Sequence, residues 1–157
     1  MGELSEWMVG LKANLRLTSD DLLEQLNSCL RAAVANAENY IGQIIMANTE
    51  LTRKMAFAKQ TNLFGPVDEI ISVSIDGQSL TAEQYSLNDT ILEITDNSVS
   101  GKSIVVVYVA GMEAAPDDVR AAVLLSASYI FSNPSDTVEA LPKASQNLLR
   151  PYRNWHR

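Results

Sequence analysis

Three pairs of adjacent carboxylates are the residues whose types could most readily do chemistry. They are Asp20-Asp21, Asp68-Glu69 and Asp117-Asp118. Two neighbouring carboxylates can share a divalent cation, which would support metal-assisted or acid–base catalysis. The first and third pairs, however, fall at predicted helix starts, where carboxylates stabilise the exposed N–H groups without any ligand. The pattern therefore favours a structural role over a metal site.

The single cysteine and the single histidine offer little to a catalytic mechanism. Cys29 lies between Leu26 and Leu30 in an apolar helical stripe, as is typical of a small buried residue. One cysteine excludes an internal disulfide and an all-cysteine metal cage. His156 is next to the last residue, where a fixed catalytic geometry is hard to hold, and the seven glycines form no nucleotide-binding motif. We predict no enzymatic activity, no metal site and no cofactor.

Residues 140–157 form a basic, aromatic segment on an otherwise acidic chain. Removing its four cations from the 12 in the chain leaves 8 against 19 carboxylates, a net charge of −11 for residues 1–139. Arg, Tyr and Trp are typical anchors of protein interfaces, whereas a body this acidic repels nucleic-acid phosphates. We predict that this segment contacts an acidic partner surface, with packing of its rings on their own subunit as the alternative. The predicted interface residues are Arg150, Tyr152, Arg153, Trp155 and Arg157.

Length and composition are those of one domain over residues 1–157. The chain has 157 residues, 46% of them apolar, which is enough for a real core. The longest apolar run, residues 104–110, is far short of the ~20 residues of a membrane span. The segment MGELSEW carries acids where a signal peptide would carry Lys or Arg, so we expect a cytoplasmic protein without a membrane segment.

Four helices must position these side chains. A short first helix is predicted to stop near Arg16. A second is predicted to be capped by Thr18 or Ser19, to hold Asp20-Asp21 in its first turn and to run to Ile45, roughly 40 Å at ~1.5 Å per residue. A third starts at Pro116 and ends at Asn133-Pro134, and it is apolar enough to predict burial on more than one side. A last short helix is stopped by Pro151.

Residues 50–111 change period and predict strands. Ile71, Val73 and Ile75 alternate with serines, and Asp76-Gly77 follows at once, which is a strong hairpin signal. The predicted fold class is α+β: mainly a helical bundle, with two N-terminal and two C-terminal helices and a small antiparallel β-sheet inserted at 50–111.

Both flanks of the chain carry motifs whose order and spacing are similar to those of one protein family. The motif residues are Leu11, Lys12, Leu15, Arg16, Asp20 and Asp21, then residues 116–131, then Leu148, Leu149, Tyr152 and Arg153. Over about 80 residues the chain resembles the head–tail connector (adaptor) proteins of tailed phages, also described as DNA-packaging proteins.

The resemblance implies a structural virion protein of the neck, assembled in the bacterial host cytoplasm. It implies a ring of about twelve copies that binds the portal protein and, on its other side, a stopper or tail protein. In such a ring DNA would pass through the channel without specific binding, and the family implies neither enzymatic activity nor a cofactor. Two alternatives stay open: a DNA-binding packaging or regulatory protein that uses the basic segment, and a small enzyme whose site includes Asp68, Glu69, Asp76 or Tyr85.

Overall fold

The computed structural model describes residues 2–134 and 141–154. The described chain falls into two compact units. The helical unit holds the residues up to Gly42 and those from Ala115 onwards, and the β unit holds residues 43–114. The predicted insertion at 50–111 lies within the β unit, and the predicted α+β class is confirmed.

The helical unit contains α1 (Gly2–Asn14), α2 (Leu23–Ile41), α3 (Asp117–Ser132) and α4 (Lys143–Leu149), and a 3-10 helix (Arg150–Tyr152) follows α4. Apolar positions at helical spacing form its core, because α2 and α4 pack on α3 and α1 packs on both α2 and α3. The fully buried core side chains include Leu11, Leu26, Leu30, Ile41, Val119, Val123 and Leu149. Within the described residues, no helix combines the length and apolarity that a membrane crossing requires.

The second helix differs from its prediction at both ends. It begins at Leu23 without a side-chain cap, so Thr18 and Ser19 do not cap it and Asp20-Asp21 precede its first turn. Asp20 instead forms an ion pair with Lys12 of α1. At the other end Gly42 adopts a left-handed conformation, with φ of 71°, and its N–H donates to the Glu38 carbonyl, which stops the helix before Ile45. The helix is therefore 19 residues and about 28 Å long, not roughly 40 Å.

The third helix starts one residue after the predicted Pro116 and ends where the sequence predicts. Pro116 is its N-cap, Asp117 and Asp118 lie in its first turn, and Asn133 is its C-cap. The prediction of burial on more than one side is wrong for part of its apolar surface. Leu125 and Tyr129 are 42% and 43% exposed, so one apolar strip of the helix faces outwards in the single chain.

The β unit contains seven strands, counted over the described residues: β1 (Thr49–Ala56), β2 (Gln60–Asn62), β3 (Val67–Ile75), β4 (Gln78–Ser79), β5 (Tyr85–Asn88), β6 (Ile91–Ile94) and β7 (Ser103–Ala110). They form two antiparallel sheets, with strand orders β1-β7-β3-β4 and β2-β6-β5. Ile75 pairs with Gln78 across Asp76-Gly77, so the predicted hairpin is present.

The core of the β unit comes from alternate residues of its strands. On β7 the buried side chains are Ile104, Val106, Tyr108 and Ala110, with half-buried residues between them. The Tyr108 hydroxyl accepts a hydrogen bond of 3.1 Å from the Phe64 N–H, and burial raises the pKa of this tyrosine. The strongly β-branched strand β7 is thus one of the two inner strands of the larger sheet, with β3 as the other.

Candidate functional site

The basic C-terminal segment lies on its own helical unit as far as residue 154. The Tyr152 hydroxyl donates a hydrogen bond of 2.6 Å to the Asp118 Oδ1 atom, at the start of α3. This hydrogen bond to a carboxylate is the main reason that the pKa of Tyr152 is raised. Loss of the hydroxyl proton would break the bond and place a tyrosinate beside the Asp118 carboxylate. The hydroxyl is thus bound within the chain.

Two further contacts hold the segment to the end of α2. The Arg153 guanidinium lies over the Tyr40 ring, 5.1 Å from its centroid, and the Asn154 N–H donates to the Ile41 carbonyl at 2.6 Å. Arg150 is exposed. Trp155, His156 and Arg157 lie outside the described residues, and the partner-interface role of the segment stays a prediction.

An uncharged strip on α3 is the second candidate surface, and it is called here the α3 face. It consists of Ala121, Leu125 and Tyr129, four residues apart, and all three are exposed. No charged side chain occurs between residues 121 and 132. Scattered exposed apolar residues need no explanation, but three successive turns without a charge on a chain with 20% charged residues are typical of an interface.

A groove between α1 and α2 is the third candidate surface, called here the α1–α2 groove. Its volume is about 390 Å³, and it is lined by Leu4, Ser5, Met8, Leu23, Asn27 and Arg31. Leu23, Asn27 and Arg31 form one row of α2 at spacings of four residues. The Leu23 side chain is 41% exposed. The groove was hard to predict from the sequence, because Leu4 and Met8 share the spacing of core residues. Leu23, which lies outside the buried stripe of α2, was the available signal.

The paired carboxylates belong to three different parts of the chain: the connection between α1 and α2, strand β3, and the first turn of α3. Among the described residues, no group of three or more His, Cys, Asp or Glu side chains could hold a metal ion. Asp118 binds the Tyr152 hydroxyl, a partnership that sequence reasoning missed because the two residues are 34 positions apart. Cys29 is buried, which raises the pKa of its thiol, so it is a core residue as predicted.

The residues of the enzyme alternative are spread through the β unit. Asp68 lies at the start of β3 and Asp76 follows its end, roughly 20 Å away, because β3 pairs with a six-residue span of β7 at ~3.3 Å per residue. The Asp76 carboxylate accepts backbone hydrogen bonds from Lys102 and Ser103, which lower its pKa. Tyr85 belongs to the three-stranded sheet. Asp68 and Asp76 thus do not share one pocket, and Asp76 fixes the start of β7.

The arrangement defines the class as an α+β protein in which the β unit is inserted, in sequence, between α2 and α3 of the helical unit. Three solved chains share this fold. One is from the neck of an empty GTA particle computed with C6 symmetry: the TM-score is 0.74 at 20% identity, over 94% of this chain and 88% of that chain. A chain from the virion of a native gene transfer agent (GTA) particle gives 0.72 at 20% identity, over 96% and 88%.

A chain from the neck of a native GTA particle computed with C12 symmetry gives a TM-score of 0.67 at 19% identity, over 83% of this chain and 82% of that chain. No protein-family model matches the sequence, and no curated protein matches it at a significant level. At these identities the likeness is one of fold, and it extends over most of both chains.

Proposed function

We propose that this chain is a structural, non-enzymatic protein in the neck of a phage-like particle. The observation that carries the proposal is the fold shared with chains of GTA necks, over 94% of this chain in one case. Because that alignment spans so much of the chain, it includes most of both the helical unit and the β unit. The connector motifs of the sequence lie at the end of α1 and in the loop that follows it, on α3, and at the end of α4 and just after it, which is independent support.

In this proposal each copy is one connector domain of 157 residues. About twelve copies form a ring between the portal and a stopper or tail protein. The C6 and C12 symmetries of the neck assemblies support a cyclic arrangement. The exposed α3 face supports self-association, since it offers an uncharged surface for a neighbouring copy. The ring extends the DNA channel during packaging and head completion, and its assembly takes place in the bacterial cytoplasm.

The net charge of −7 supports passive passage of DNA. Like charges repel, so an acidic channel wall does not retain phosphates and packaged DNA slides past without specific binding. The exposed Arg150 and the rest of the basic segment then serve a protein contact, with the portal or with an acidic neighbouring copy. No cofactor takes part in this function.

The test is to mix the purified protein with the portal of the same particle and to image the mixture by cryo-EM. We expect a ring stacked on the portal. Native mass spectrometry of the same mixture gives the copy number. The same measurement on the protein alone shows whether the ring needs the portal as a template. A protein that neither forms rings nor associates with the portal would refute the proposal.

A gel-shift experiment tests the DNA-binding alternative. We expect no shift of duplex DNA at low salt, because the phosphates and the acidic body repel each other. A salt-dependent shift that disappears when residues 150–157 are deleted would instead favour the packaging or regulatory protein.

A further inference from the structure

The α3 face and the α1–α2 groove are separate surfaces of the helical unit. Leu124 of α3 contacts α1 beside Gly10, and the Ala122 carbonyl accepts a hydrogen bond from Ser145 of α4. The remaining buried side of α3, which carries Val123, packs against α2. Residues two apart on a helix point about 200° apart, so Leu125 faces away from Val123. The face therefore points away from α2, one of the two helices that form the groove.

Contact between two different surfaces of one subunit can join copies head to tail. A twofold dimer would need one surface that fits itself, whereas a head-to-tail contact repeats from copy to copy and closes into a ring when the rotation allows. The groove and the face satisfy this requirement within a single unit of the chain. This step rests on the proposed ring.

The two surfaces also match in spacing. On α2, Leu23 and Arg31 are eight residues apart, and on α3, Leu125 and Asp117 are eight residues apart. At ~1.5 Å per residue each pair spans about 12 Å. Both pairs lie on rows of residues spaced by four, and such rows interdigitate in the commonest class of helix packing. If the helices run antiparallel, Leu125 meets Leu23 where Asp117 meets Arg31.

Charge complementarity supports the same alignment. Arg31 and Asp117 are both exposed, and neither forms an ion pair with another residue that the structure describes. Copies with a net charge of −7 repel one another, so a cation at the rim of the contact favours the correct neighbour. Ala121, between Asp117 and Leu125, is small and lets the helices approach closely near Asn27.

We propose that the α3 face of one copy docks antiparallel in the α1–α2 groove of the next copy, with Leu125 against Leu23 and Asp117 paired with Arg31. The contact that closes the ring thus joins the groove of one copy to the α3 face of another. The occupant of the groove is a second copy of this chain.

A charge exchange tests the pairing. Arg31→Glu and Asp117→Arg each place like charges together, and each is expected to weaken assembly at least about tenfold. The double variant exchanges the charges and is expected to recover most of the wild-type assembly. Native mass spectrometry, with and without the portal, measures the assembled fraction, while circular dichroism checks the fold. Glu93→Arg and Lys54→Glu, at exposed positions of the β unit, are the matched controls.

Cross-linking gives a second readout that does not depend on ring stability. In a Cys29→Ala background, Arg31→Cys protein and Asp117→Cys protein are mixed at high concentration and treated with a short bismaleimide. We expect a covalent dimer in the mixture and little with either protein alone, since the contact joins unlike surfaces. Cross-linking in the mixture no greater than with either protein alone would overturn the docking.

The outcomes separate the two proposals. If wild-type rings form on the portal and both single charge variants assemble like the wild type, the docking is wrong and the neck function stands. If single variants fail and the double variant does not recover, the proposed pairing is wrong. If the wild type shows neither rings, portal binding nor cross-links, both proposals fall.

Discussion

Replacement of Gly111 by alanine is expected to destabilise the β unit through a backbone clash. Gly111 follows β7, has φ of +131° and donates its N–H to the Pro66 carbonyl at 2.9 Å. A Cβ atom there would lie 2.7 Å from the Met46 carbonyl carbon and 2.8 Å from the Ala47 Cα atom. Both are backbone atoms, so no flexible side chain can move aside.

Two costs add at this position. An L-residue held at an unfavourable positive φ costs about 1–3 kcal/mol. Overpacking against a fixed neighbour costs typically 1–3 kcal/mol more. Their sum is about 4 kcal/mol, which corresponds to a fall in Tm of about 10 °C for a domain of this size.

Thermal unfolding followed by circular dichroism measures the effect, and Gly77→Ala is the matched control. Gly77 has φ of +86°, but nothing lies within 4 Å of its Cβ position, so alanine there incurs only the backbone strain. We expect Gly111→Ala to lower Tm at least about 5 °C more than Gly77→Ala does. Equal Tm values for the two variants would refute the clash.

Three other predictions follow from the titratable groups. Hydrogen bonds, chiefly from the Ser98 hydroxyl, lower the pKa of Asp96 to about 2. Its contribution to stability is therefore present above the ordinary Asp pKa of about 4 and lost as pH falls through 2; Asp96→Asn should flatten this part of the urea-unfolding profile. The pKa of Tyr152 is raised by Asp118, so its contribution is present below pH about 10 and lost at higher pH; the stability difference from Tyr152→Phe should shrink above pH 10. Cys29 is buried with a raised thiol pKa, so Ellman's reagent should label it rapidly in urea and only slowly in the native protein.

Local patterns in the sequence determined the types and order of the elements. The proline-led start of α3 with Asp117 and Asp118 in its first turn, and the Asp76-Gly77 hairpin, depend on residues within a few positions of one another. Their physical causes are capping, the helix dipole and turn geometry, which act locally and can be read from adjacent residues. The buried position of Cys29 followed from helical periodicity in the same way.

The end of α2 was harder to predict, because Ile44 and Ile45 continue the apolar spacing beyond Gly42. Periodicity counts them as helix, yet Gly42 adopts a left-handed conformation and the Ile44 N–H donates instead to the Gly65 carbonyl. That partner is 21 positions away in sequence, and its position depends on the folded β unit. The division of the strands between two sheets has the same origin, since β-sheet pairing joins distant residues.

The candidate surfaces also differ in whether local sequence or contacts between distant residues determine them. The sequence by itself identified a basic aromatic segment and an unusually apolar α3, because charge and hydrophobicity belong to residue types. Only the tertiary structure decided that Tyr152 binds Asp118 and that Leu125 and Tyr129 remain exposed. Exposure depends on which helices cover a given side of α3, and that arrangement is set by packing between distant segments rather than by the residues next to it.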